Sequence, residues 1–253
     1  MTSTTTADDQ LRAALDQIRK VFVGMTARPD ETNCECHWGS AEELALLKVP
    51  GVPLDPDLLY RTWSVPDWED HGAVIRRILP QLAEALVVGE CLRPQEAGRS
   101  LARSGWRDWP AAQSTTISGF LHAWWARTLE VADPPQPASD VFETCVTASG
   151  SVTPWLAQWA ARRDPVADRH LLDAVEGWTY DLVGDQLPCT LHWDDDETAL
   201  ARELNAWLAR HAPARLAAQG AEPFLLHRMG MLGVPIEVRW DEEHCPDEYR
   251  RLI

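Results

Sequence analysis

The stretch Trp68-Glu69-Asp70-His71-Gly72-Ala73-Val74-Ile75-Arg76-Arg77-Ile78-Leu79-Pro80-Gln81-Leu82-Ala83-Glu84-Ala85-Leu86-Val87-Val88 decides the fold. Val74, Ile75, Ile78, Leu79, Leu82, Leu86 and Val87 recur at three- and four-residue spacing, which puts them on one broad face of a helix. Pro80 sits inside that pattern. It brings no N–H and its ring crowds the preceding turn, so a kink is expected there.

The same period extends in both directions. Towards the N-terminus, Leu11, Leu15, Ile18 and Phe22 mark an amphipathic helix over Leu11 to Val23. Ser40 with Glu43 reads as a capping box, and Asp55-Pro56 as a second start signal. Towards the C-terminus, helices are expected over Pro94 to Ala102 and from Trp109-Pro110 through Leu129. Further ones follow over Ser139 to Ala148, after Thr153-Pro154, after Asp164-Pro165 with Gly184 closing, over Asp195 to Ala212 with Pro213 as a stop, and over Pro223 to Gly233. Trp124, Trp159, Trp178 and Trp207 lie on apolar stripes and are expected to be core. The fold class that results is all-α, an irregular array of antiparallel helix pairs, either a HEAT-like α-solenoid or a helical bundle. At most a minor β-ribbon is expected. It would pair Leu187 to Trp193 with Val234 to Trp240, two segments that alternate apolar and polar residues after Pro and then reach Trp and three acids.

Asp133-Pro134-Pro135-Gln136-Pro137 is the strongest linker signal, so the chain divides into halves at 1–132 and 138–253, expected to pack as one globular unit. The 253 residues carry 39 Asp and Glu against 23 Lys and Arg, a net charge of −16. Such a chain repels phosphate backbones, which argues against direct nucleic-acid binding and favours a basic protein partner. No window approaches the ~18 apolar residues of a membrane span, and Met1 to Asp9 resembles no targeting peptide. A soluble cytoplasmic protein is expected. In that setting the six cysteines should be thiols or metal ligands rather than disulfides.

The chemistry-bearing cluster is Cys34-Glu35-Cys36-His37. Two thiolates and an imidazole form a ligand set that zinc prefers. His71 is the candidate fourth ligand and Cys91 the alternative, with Cys145 and Cys245 further back. Against zinc stands a loop with two thiols and a surface histidine. A second, weaker candidate joins His192 and Asp194 to Asp241 and His244, where carboxylates flanked by imidazoles can hold a divalent ion or move protons. The acids Asp195 and Asp196 there equally suit the start of a helix. His122, His170, His211 and His227 read as packed or capping residues.

Residues Phe22 through Leu86, with Cys34-Glu35-Cys36-His37 and Leu79-Pro80-Gln81-Leu82, are similar to an uncharacterised bacterial all-helical family. The likeness continues through Trp106-Arg107-Asp108-Trp109-Pro110 and Phe120 to Trp125. The family's element is Cys-x-Cys-Cys or Cys-x-Cys-His, and its familiar form has Cys where this chain has His37. The resemblance implies an all-helical fold and brings no established activity. Phosphate-loop, dinucleotide, nucleophile-elbow and His-Glu-x-x-His signatures are missing from the sequence. Two functions follow as expectations. The first is an acidic helical interaction or scaffold protein, inhibitor-like or immunity-like, with a structural zinc site. The second is a metal-dependent enzyme using the Cys/His loop or the acidic connectors.

Overall fold

A computed structural model of the chain describes residues 6–34, 38–91, 93–188, 191, 196–241 and 243–246. The protein is all-α: among the described residues helix takes up 67% and no strand occurs. The helices are α1 (Ala7–Phe22), α2 (Ala41–Leu47), α3 (Pro56–Ser64), α4 (His71–Val88), α5 (Pro94–Arg103), α6 (Ala111–Glu130), α7 (Ala138–Ser149), α8 (Thr153–Ala161), α9 (Pro165–Leu182), α10 (Glu197–Ala218) and α11 (Pro223–Met231). None is long and apolar enough to cross a membrane.

The chain forms two compact units, Met1–Thr128 with Asp133–Gly150, and Leu129–Ala132 with Ser151–Ile253. The division expected at the Pro-rich segment is therefore displaced. That segment stays with the first unit because α7 packs closely on α5. Gly98 makes the approach possible, since a Cβ there would come within 2.7 Å of the Thr144 carbonyl oxygen.

In the first unit α4 is central, and Val74, Ile75, Ile78, Leu79, Leu82 and Leu86 are buried as the period requires. It begins three residues later than Trp68, because Asp70 is the residue that caps it, accepting from Ala73 N at 2.8 Å. Pro80 is accommodated within the continuous helix. Two polar side chains on α4 hold the loop after α2. Buried Arg77 donates to the carbonyls of Leu46, Val49 and Val52, and Gln81 pairs with both the N–H and the carbonyl of Leu54. The Ser40–Glu43 capping box forms as read.

The second unit packs α9, α10 and α11 together. Trp159 and Trp178 are buried against each other, while Trp207 is only half-buried and leans on Trp159 and His211. Asp164 caps α9 as expected. Two local readings are corrected. Thr153 is not an N-cap; it lies inside α8 and its hydroxyl donates to Glu203 at 2.7 Å. Pro213 does not stop α10, which runs on to Ala218. The extra turns are held by Leu216 and by Arg215, a buried guanidinium bonded to Asp168 and the Trp159 carbonyl. Those contacts outweigh the one hydrogen bond that the proline forgoes.

Candidate functional site

The residues flanking the Cys-rich segment are bound to the start of α4. Glu31, 1% exposed, turns its carboxylate onto two backbone donors ahead of that helix, Glu69 N at 2.8 Å and Asp70 N at 3.1 Å. A buried carboxylate is tolerable there because N–H groups and the helix dipole replace its water. On the far side of the loop, the buried Trp38 ring meets Trp68 edge-on at 5.0 Å, and Arg61 donates to the Trp38 carbonyl. Trp38 N closes the turn onto the Cys34 carbonyl at 2.9 Å. Both flanks of residues 34–38 thus rest on Trp68 to Asp70, directly before His71.

His71 is half-buried. Its Nε2 lies 2.9 Å from the Ser100 carbonyl, a hydrogen bond in which the ring donates. Nδ1 is then the lone-pair nitrogen, and it is buried with no partner among the described residues. Burial, with Arg103 adding, holds this imidazole below its ordinary pKa, which keeps the lone pair free near neutral pH. Asn33 Nδ2 and Trp38 Nε1 are likewise buried and unpartnered among the described residues. Cys36 and His37 lie outside the described residues. Cys34 is exposed and disulfide-bonded, contrary to the expectation of thiols throughout. In that state it offers no thiolate to a metal.

Cys91 is badly placed as the alternative to His71: it lies past the far end of α4, a rise of about 27 Å from the helix start on which Glu31 and Trp38 rest. Cys91, Cys145 and Cys245 are buried free thiols, and burial pushes the Cys91 pKa up to about 11. Among the described residues no three His, Cys, Asp or Glu side chains are grouped as a metal site.

Of the second candidate, His192 and Asp194 lie outside the described residues, whereas Asp241 is exposed and His244 half-buried. Val234 to Asp241 is a run of turns rather than an extended connector, with Val238 N bonded to the Pro235 carbonyl and Asp241 N to that of Val238. Arg239 is what folds it. This guanidinium, 2% exposed, donates to the carbonyls of Val234 and Val183 and to Asp185 Oδ1 at 2.8 Å. Asp185, at φ +55° and one turn past α9, also accepts from Asn205 of α10. With Arg239 turned inward, Val238 and Trp240 remain 38% and 36% exposed, beside the exposed acids Glu237, Asp241 and Glu243. Sequence reading passed over Glu31 and Arg239 because charged residues are ordinarily solvated. No protein-family model, curated protein or solved structure matches the chain, so the resemblance read in its first half gains no support from those comparisons.

Proposed function

We propose that this chain is a binding protein whose acidic, partly aromatic surface takes a basic protein partner. The observation that carries the reading is the turn pinned by Arg239. It places Trp240 and Val238 at the surface within a set of carboxylates, on a chain of net charge −16. A rigidly mounted tryptophan supplies an anchor that a partner can desolvate, and the surrounding acids select and steer a basic surface towards it. The test is co-purification of the intact protein from the organism of origin at low and high salt, with Trp240→Ala in parallel. A basic protein retained at low salt, released by salt and lost with Trp240→Ala supports the reading. A bare monomer under every condition contradicts it.

A second reading rests on His71. An imidazole whose Nε2–H is fixed on a backbone carbonyl while Nδ1 stays buried and free has the arrangement that orients metal ligands. With Cys34 reduced, Cys34, Cys36 and His37 would supply the remaining donors to a zinc ion. Elemental analysis of protein prepared with reductant and without chelator tests this. About one equivalent of zinc is expected, and metal-free protein rejects it. Four protein ligands would make the ion structural, whereas a position left to water would favour the metal-dependent enzyme.

A further inference from the structure

The first unit carries a cleft of about 280 Å³ where α3 meets the carboxyl end of α4. That volume is at the small end of ligand sites. Tyr60 and Trp63 of α3 form one wall, with the rings edge-to-face at 5.0 Å and 83°. Tyr60 remains 36% exposed. The opposite wall is the last turn of α4 and the two residues after Gly89, Glu90 and Cys91. Gly89 reverses the chain there at φ +82°, and a Cβ on it would press on the Pro135 carbonyl at 3.0 Å. The Cys91 carbonyl is held by Gln136 at 2.9 Å, so this wall is built rather than loose.

The cations near the cleft are already paired, which leaves it a negative character. The carbonyl end of an 18-residue helix points to it, and the last turn of α4 contains no basic residue to offset that dipole. Glu84 is paired with Arg19 at 2.8 Å, but exposed Glu90 forms no ion pair among the described residues. Arg93, the cation whose charge reaches Tyr60, is engaged by Glu96 at 3.0 Å. Aromatic faces beside an unmatched carboxylate attract a cation with an apolar surface. An anion would be repelled, and a neutral solute would gain only the walls.

We infer that this cleft binds a small organic cation of the ammonium class, seated against the Tyr60 ring with Glu90 as its counter-ion. The site is independent of the surface around Trp240, which belongs to the other unit. Choline chloride is the probe, and 3,3-dimethylbutan-1-ol is its neutral isostere. Both are titrated into the full-length protein by calorimetry and by NMR of the Tyr60 and Trp63 ring signals. Choline is expected to saturate and to bind roughly tenfold tighter than the alcohol, the factor set by cation–π and counter-ion attraction. Tyr60→Phe should retain binding, Tyr60→Ala should lose it, and Glu90→Gln should weaken it several-fold. All three changes are at surface positions, and thermal melting checks that each variant folds. No saturable binding of choline, equal binding of the alcohol, or binding indifferent to both Tyr60→Ala and Glu90→Gln would each overturn the assignment.

Discussion

Single residues show why burial was only partly legible. Tryptophan at helical spacing was readable as core, and Trp124, Trp159 and Trp178 are buried. Trp207 was misplaced by the same rule, since its neighbours in space decide how far it is covered. Trp159→Ala should cost about 3–5 kcal/mol in chemical denaturation, and Trp207→Ala clearly less; equal losses would contradict the packing. The buried arginines were not legible at all. Arg77, Arg215 and Arg239 bond carbonyls and carboxylates far away in sequence, and no local pattern marks such partners. Arg239→Met should destabilise the protein by roughly 3 kcal/mol, the low side of what breaking a buried pair costs, because Asp185 keeps some solvent. The mutation should also release the turn, seen as altered Trp240 fluorescence, and an unchanged spectrum would count against the pinning. His71 makes a pH prediction. Burial lowers its pKa in the folded protein, so below the ordinary value of 6.5 the unfolded chain binds the proton first. Its stabilising contribution is complete above 6.5 and is lost as pH falls from there through the folded pKa. The melting temperature should drop over that interval, and the drop should shrink in His71→Gln.

At the scale of elements, local signals held where their partners lie within one turn and failed where distant contacts override them. Ser40 with Glu43 and Asp164 with Pro165 each form the predicted cap, because the donors and acceptors sit within one turn. Ser40→Ala should cost about 1 kcal/mol, measured as a shift in the denaturation midpoint. Pro213 and the Pro-rich segment were read as boundaries by local rules, yet Arg215 carries α10 onward and Gly98 draws α7 to α5. Gly98→Val tests the second point. Its side chain would collide with the Thr144 backbone, so the variant should lose several kcal/mol or fail to fold. A near-neutral effect would mean that the two helices are not in contact. The candidate site divides along the same line. Cys34, Cys36 and His37 stood out by residue type, whereas the clamp by Glu31 joins segments about forty residues apart and His71 is oriented by Ser100 of α5.

For the whole molecule, the repeated helix period supplied the all-helical class and composition the negative charge, because both accumulate over many residues. Function was not carried by such sums. The proposed function rests instead on where a few exposed groups are mounted, above all Trp240 beside Glu237, Asp241 and Glu243. The most direct measurement is the salt-dependent co-purification of the wild-type chain beside Trp240→Ala, with retained proteins identified by mass spectrometry. The account predicts a basic partner that is held at low ionic strength, released as salt screens the acids, and absent with Trp240→Ala. Retention of the same partner by Trp240→Ala at all salt concentrations, or a wild-type chain that holds nothing, would contradict it.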